Sequence, residues 1–372
     1  MSPDRFSQLF GRVREIIESA RATAARSVDT AQVVAYWLIG KEIVEEEQHG
    51  KRRAGYGQGL LRSLSNDLTL LYGKGYSSAN LCYFRQFFLE YPDLVRDCQI
   101  HHALRDKSSR PDIQEICRAS RGESLDPGRL HPDLSWTHYR TLLRVQERQK
   151  RAFYEVESIG NSWTARELER QINSLLYERL AKSKDKAGLL KLALRGQEVQ
   201  KPADVFKDPF VIEFLGSREP HGLAESDLEK ALVDNLQRFL LELGKGFAFM
   251  SRQERITLDG DHFYIDLVFY HAVLQCYVLI DLKVGKLTHQ DLGQIQFYVN
   301  YFDKERRSSK DGPTLGLILC TDKNDAVVRY TLGEGQEKIF ASRYQLHLPT
   351  EAELGAELRR NLLDHQKGAG DA

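Results

Sequence analysis

Asp266, Asp281 and Lys283 are the charges carried by two otherwise apolar runs, Tyr264-Ile265-Asp266-Leu267-Val268-Phe269 and Tyr277-Val278-Leu279-Ile280-Asp281-Leu282-Lys283. Side chains alternate across a strand, so Asp281 and Lys283 project from one face, one pleat apart. A buried charge is costly unless it is paired or holds a metal. Two readings are open: a buried ion pair that supports a sheet, or a divalent-cation site with a lysine beside it. If the strands are neighbours, the two carboxylates converge on one hard cation. Mg²⁺ takes one or two carboxylates and completes its shell with waters and substrate phosphate oxygens. Such an ion stabilises charge on a phosphodiester under in-line attack and lowers the pKa of a bound water. Lys283 supplies a compact cation beside that water.

The elements that must position these residues are legible around them. A helix is expected from about Ala224 to Gly244, with Leu228, Leu232, Leu236, Phe239, Leu240 and Leu243 on one face. Three β-like runs come after it, Phe247 to Ile256, Phe263 to Tyr270 and Gln275 to Lys283; the turn Leu258-Asp259-Gly260-Asp261 carries the D-G hairpin signal. A helix from about Gln290 to Phe302 comes next, then a strand over Thr314 to Cys320, a short helix near Ala326 to Leu332 and a strand around Lys338 to Ala341. Helix, three strands, helix, strand describes an α/β domain with a mixed sheet.

The front half is helical by periodicity. Phe6, Leu9, Phe10, Val13, Ile16 and Ile17 recur at helical spacing, and a second helix runs from Asp29 or Thr30 to the stop signal His49-Gly50. The acidic triplet Glu45-Glu46-Glu47 at its end opposes the helix dipole, and a solvated surface is the expected setting. Gly59 to Leu71, the turn Tyr72-Gly73-Lys74-Gly75-Tyr76 and a Ser77-capped helix ending at Pro92 resemble a helix-turn-helix unit. Asn80, Tyr83, Arg85 and Gln86 on the second of these helices are candidates for nucleic-acid contact, with a plain helical hairpin as the other reading. The stretch from Arg96 to about Pro132 reads as a surface insertion, and Thr164 with Glu167 as a capping box. Arg140, Arg144, Arg148, Lys150, Arg151, Arg166 and Arg170 suit either nucleic acid or a salt-bridged face. The expected organisation is a helical domain over 1–185, a linker over 186–208, the α/β domain over 209–350, and a C-terminal helix and tail over 351–372.

Composition excludes more than it identifies. The 372 residues are 41% hydrophobic and 28% charged, with 53 basic and 53 acidic side chains, so a folded protein is expected and net charge selects no partner. Five scattered cysteines lack C-x-x-C spacing, which argues against a structural zinc and fits a reducing cytoplasm. No run has the length and apolarity of a membrane helix or a signal peptide. Gly73-Lys74-Gly75 lacks the spacing of a phosphate-binding loop, so no nucleotide cofactor is expected. Arg252, Gln253 and Arg255 on the first strand stand where they could flank the site and touch phosphates, with a solvated strand face as the other reading.

The order of Asp266 and Asp281-x-Lys283 resembles the PD-(D/E)XK nuclease superfamily, with Ile265 where a proline is usual and Asp281 where many members carry Glu. The resemblance implies a restriction-endonuclease-like αβββαβ core and makes Asp266 and Asp281 ligands of Mg²⁺, with Mn²⁺ as an alternative. It gives Glu229, on the preceding helix, the place of an additional acid and metal ligand; a solvated helix residue is the other reading. Gln294-x-x-x-Tyr298 resembles an element that helps place the DNA backbone in the RecB-like and lambda-exonuclease-like branches. More narrowly, Ile39-Gly40-Lys41-Glu42-Ile43-Val44, Leu134-Ser135-Trp136-Thr137-His138-Tyr139 and Leu241-Glu242-Leu243-Gly244-Lys245-Gly246-Phe247 resemble the bacterial YhcG-like (DUF1016) family, which joins a helical N-terminal domain to a PD-(D/E)XK domain. The expectation is therefore a Mg²⁺-dependent deoxyribonuclease with a one-metal or two-metal Asp/Asp/Lys site, recruited to DNA by its helical front half. A homo-oligomer is left open. The alternative is a DNA-binding or assembly protein whose nuclease-like domain serves as a scaffold.

Overall fold

The structure, a computed structural model, describes residues 8–17, 28–49, 56–95, 126–181, 186–199, 201–215, 224–332 and 337–350. Most of the insertion expected over 96–132, and all of the helix and tail expected over 351–372, lie outside the described residues.

The chain divides into two compact units, and the division differs from a simple cut near residue 185. One unit comprises Met1–Arg170 with Lys186–Gly196; the other comprises Gln171–Asp185 with Gln197–Ala372. Residues 186–195, expected within a linker, form a helix of the first unit. Leu192 and Ala193 are buried, and burying that apolar face holds the segment in place.

The first unit is helical: α1 (8–17), α2 (Val28–His49), α3 (Tyr56–Tyr72), α4 (Ser78–Glu90), α5 (Trp136–Leu142), α6 (Arg148–Gly160), the start of α7 (Ala165–Asn173) and, beyond α8 (Leu176–Ala181), which belongs to the second unit, α9 (Lys186–Arg195). Gly40 lets α2 meet α4, because a Cβ there would collide with the Phe84 carbonyl. Tyr36, Phe84, Phe87 and Trp136 pack as stacked or edge-on rings in this core. The Thr164/Glu167 capping box forms in both directions.

The acidic triplet is not simply solvated. Glu46 is buried near Arg12, and Glu47 accepts from Arg85 Nε at 2.6 Å. Salt-bridged packing also claims Arg144, which pairs with Glu169 at 2.5 Å, and Arg151, which pairs with Glu90. Glu155 is buried and accepts from the Gly128 amide at 2.9 Å; burial pushes its carboxyl up to about 8.

The second unit is built on a six-stranded mixed sheet in the order β1-β6-β5-β4-β3-β2. Its strands are β1 (Phe210–Val211), β2 (Phe247–Leu258), β3 (Asp261–His271), β4 (Cys276–Lys286), β5 (Leu315–Asp322) and β6 (Ile339–Gln345). β2, β3 and β4 are antiparallel, whereas β4, β5, β6 and β1 run parallel. Asp259 and Gly260 both take positive φ, as a two-residue hairpin turn requires.

Helices cover both faces. The expected helix over 224–244 is two, α10 (Glu225–Asp234) and α11 (Leu236–Leu243), broken at Asn235, whose φ of −112° and ψ of 31° leave the helical region. They pack Leu228, Leu232, Phe239 and Leu243 against Leu267, Phe269, Val278, Ile280 and Leu282. On the other face α12 (His289–Tyr301) packs Leu292, Ile295, Tyr298 and Val299 against Val268, Leu279 and Ile318. Gly316 permits that approach, since a Cβ would lie 2.7 Å from Ile295 Cγ1. Helix α13 (Asp325–Leu332) comes after β5. Arg179 of α8 and Glu242 of α11 form a fully buried ion pair at 2.5 Å, and Glu242 also accepts the Val211 amide.

Candidate active site

The site forms where β3 and β4 part. Their ladder runs from His271↔Cys276 to Leu267↔Ile280 and goes no further. Beyond that rung the freed Leu282 amide donates to Asp266 Oδ2 at 2.8 Å. Asp266 thereby replaces a missing ladder bond, and its carboxylate is held where the β3–β4 ladder ends, midway along both strands. Asp281 comes from the neighbouring strand and is buried, with 1% of its surface exposed. Lys283 Nζ lies 3.2 Å from Asp281 Oδ2, an ion-pair contact without hydrogen-bond alignment, so this buried oxygen has no hydrogen-bond partner.

The electrostatics are set by this crowding. Burial raises Asp281 to about 7; Lys283 opposes that shift, and the charge of Asp266 adds to it. Asp266 is also raised by burial, against the pull of the Leu282 amide and Lys283. Burial works to lower Lys283, yet Asp281 and Glu225 outweigh it and hold the ammonium above its ordinary value. Two carboxylates of raised pKa beside a firmly charged lysine mark a site short of positive charge.

Glu229 reaches this corner from α10 and is not a solvated helix residue. It is 3% exposed and accepts from both Arg252 Nε and Gln253 Nε2. Gln253 Nε2 also donates to Asp266 Oδ1 at 3.0 Å, so one amide group spans the two carboxylates. Arg252 and Gln253 therefore sit at the site, facing acids in this structure. Glu225, one turn before Glu229, went unrecognised in the sequence: it lies 3.6 Å from Lys283 Nζ and accepts the Val284 amide at 3.1 Å. Its spacing of four from Glu229, which puts both on one helix face, was the available signal.

The Gln294/Tyr298 pair lies beside the site and is hydrogen-bonded within the protein. Tyr298 is buried; Gln294 Nε2 donates to its hydroxyl at 2.7 Å, and the hydroxyl donates to the Tyr264 carbonyl at 2.8 Å. That bond fixes α12 to β3 two residues before Asp266. Thr288 and Asp291 cap the same helix reciprocally, and the charge of Asp291 adds to the upward shift of Asp281.

Asn80 and Arg85 belong to the helical unit. Asn80 Nδ2 closes the preceding turn on the Gly75 carbonyl at 2.9 Å, and Arg85 pairs with Glu47. Both side chains have structural partners.

A divalent cation fits this donor set, though not as a ready cage. Among the described residues no three His, Cys, Asp or Glu side chains gather as a preformed metal cluster. Asp281 Oδ2 is nonetheless a buried acceptor lacking a hydrogen bond, and the nearby donors are hard oxygens. With all groups ionised, Glu225, Glu229, Asp266 and Asp281 face Lys283 and Arg252, which leaves an excess of two negative charges. Mg²⁺ needs only one or two of these carboxylates directly.

An acid on one strand where its ladder to the next strand ends, D-x-K on that next strand and a further acid from the preceding helix, on this sheet, define a PD-(D/E)XK nuclease domain. Residues 203–362 match the model of the YhcG PDDEXK nuclease domain, and residues 12–179 match the DUF1016 N-terminal domain. Over 360 residues the chain is 36% identical to the Escherichia coli (strain K12) protein named "Putative nuclease YhcG", covering 95% of this chain and 94% of that one. The chain belongs to the YhcG family of nucleases. Two solved structures, a repair endonuclease from Pyrococcus abyssi and an EndoMS–dsDNA complex, align over 34% of the chain at 16% and 14% identity. They are covered over 48% and 46% of their own lengths, each with a TM-score of 0.25, too slight a likeness to bear on function.

Proposed function

We propose that the protein hydrolyses DNA phosphodiester bonds at the Asp266/Asp281/Lys283 corner with Mg²⁺, or Mn²⁺ in its place. The observation that carries this reading is the buried Asp281 carboxylate, whose Oδ2 has the Lys283 ion pair but no aligned hydrogen bond, close to a second carboxylate. When bound, the cation supplies charge stabilisation at the phosphate and a water of lowered pKa. Asp266 and Asp281 would hold it, with Glu229 as the further acid, and Asp266 is kept in place by the Leu282 amide. Lys283 orients the attacking water or offsets developing charge on the phosphate. Tyr298 positions Asp266 through the Tyr264 carbonyl, and Gln294 orders the Tyr298 hydroxyl.

The test is cleavage of linear, nicked, branched and single-stranded DNA by the full chain with Mg²⁺, against Asp281→Ala. Loss of products in the variant is expected; identical products from both proteins refute the reading and favour a scaffold.

Recruitment of DNA by the helical unit is part of the proposal. Truncation near residue 182 is a poor test of it, because Lys186–Gly196 belongs to that unit. Salt-dependent DNA binding by the full chain, compared with a variant carrying Asn80→Ala, Arg85→Ala and Arg140→Ala, serves instead. A shallower salt slope supports the proposal and an unchanged slope opposes it. Among the described residues no helix is long and apolar enough to cross a membrane, and Cys82, Cys276 and Cys320 are free. Free thiols fit the cytoplasmic setting that we include in this proposal.

A further inference from the structure

Neighbours on a regular strand point to opposite faces. Arg252 and Gln253 are consecutive on β2, yet both bind one carboxylate. Arg252 Nε takes Glu229 Oε1 and Gln253 Nε2 takes Glu229 Oε2. The backbone explains how. Gln253 has φ of 50°, in the left-handed region that residues other than glycine seldom occupy. It stands between the rungs Arg252↔Leu267 and Glu254↔Ile265, where its own rung to Asp266 is missing. A shift of register between Phe249 and Ser251 precedes it. Such irregularities beside active sites re-aim side chains, and left-handed backbone is kept where its surroundings enforce it.

Every oxygen of Glu229 and Asp266 has a protein donor: Arg252 and Gln253 on Glu229, Gln253 and Leu282 on Asp266. Ionised carboxylates only accept, so the Gln253 amide must present its NH₂ to both, one hydrogen to each. Glu229 is 4% exposed in its side chain and Arg252 is 43% exposed. A buried acid is thus neutralised by a guanidinium reaching in from solvent, on a side chain long enough to leave again.

We propose that Arg252 is a stand-in cation: it neutralises Glu229 while the site lacks a divalent ion, and cation loading displaces it toward the nucleic-acid backbone. Gln253 keeps Glu229 and Asp266 in register through the exchange. This rests on the reading of the corner as a divalent-cation nuclease site. No covalent step is involved; one ionic contact replaces another. Because cation and guanidinium compete for Glu229, cation binding and the freeing of Arg252 are coupled, and the coupling is reciprocal.

The experiment is Mn²⁺ binding to the full chain without DNA, by calorimetry or electron paramagnetic resonance, for wild type, Arg252→Gln, Glu229→Gln and the double variant. Competition predicts at least about fivefold tighter Mn²⁺ binding in Arg252→Gln, and no such gain in the Glu229→Gln background; this range is that of ordinary coupling energies. An equal gain in both backgrounds means long-range charge alone and overturns the proposal, as does no gain. A variant-free measurement is the Nε–H resonance of Arg252 in ¹⁵N-labelled wild type titrated with Mg²⁺. Movement away from a carboxylate-bonded position supports displacement, and a fixed resonance at saturation overturns it. If Asp266→Asn and Asp281→Asn leave Mn²⁺ binding unchanged, the cation-site reading itself falls and the inference with it. If they abolish binding while Arg252→Gln does nothing, only the inference falls.

Discussion

The hydroxyl of Tyr298 donates to the carbonyl of Tyr264 at 2.8 Å, tying α12 to β3 two residues before Asp266. The proposed role of this tyrosine is to hold the strand, and through it the acid, by the backbone. Tyr298→Phe should cost about 1 kcal/mol in chemical denaturation, the net worth of a typical hydrogen bond. Cleavage should fall through the rate at saturating DNA, with DNA affinity little changed. A loss confined to affinity would instead return Tyr298 to the DNA backbone.

Asp281 sets a pH dependence with a definite sign. Its carboxyl is raised to about 7 in the fold, against about 4 in an unfolded chain. Between those values the folded state holds a proton that the unfolded chain has released. Stability from this group is therefore greatest at low pH, falls as pH rises through the window and levels off above about 7. The scale is on the order of 1.4 kcal/mol for each pKa unit. Asp281→Asn should remove this slope, so thermal denaturation of the metal-free variant gains on wild type between about pH 4 and 7. Glu155, raised to about 8 by burial, adds a slope of the same sign in both proteins and cancels in the difference.

Lys283 contacts Asp281 and Glu225 in one corner. Lys283→Met should lower cleavage about 10²-fold or more, the usual scale for a positioned proton-transfer or charge-stabilising group. Lys283→Arg should not restore it, because a planar fork cannot replace a compact ammonium. Rates for both variants under saturating Mg²⁺ provide the check, and full activity in Lys283→Met would reduce the lysine to a structural ion pair.

The buried Arg179–Glu242 pair belongs to the scaffold. Arg179→Met takes the guanidinium from a fully buried carboxylate and should destabilise the protein by about 3–5 kcal/mol. Denaturant titration measures this. A change below about 1 kcal/mol would show that the surroundings relax around the loss.

The sequence by itself determined the sheet strands flanking the site, the D-G hairpin and the pair of acids with a lysine one pleat on. Those signals are local: alternation, turn chemistry and apolar periodicity act within a few residues. It could not show that the helix over 224–244 breaks at Asn235, because that change of backbone angle depends on how its two halves pack. Nor could it show that residues 186–195 return to the helical unit: Leu189, Leu190, Leu192 and Leu194 give the stretch an apolar side, but which unit buries Leu192 and Ala193 is decided by the fold.

The site divides along the same line. Asp266, Asp281 and Lys283 were legible as charges stranded in apolar runs. The partners of Glu229, the lysine contact of Glu225 and the inward turn of Tyr298 required the tertiary structure. Each joins elements separated by 20 residues or more in sequence, brought together only when two helical layers close on the sheet. The left-handed backbone at Gln253 is the sharpest case: strand alternation assigns Arg252 and Gln253 to opposite faces, and the folded chain turns both onto one buried carboxylate.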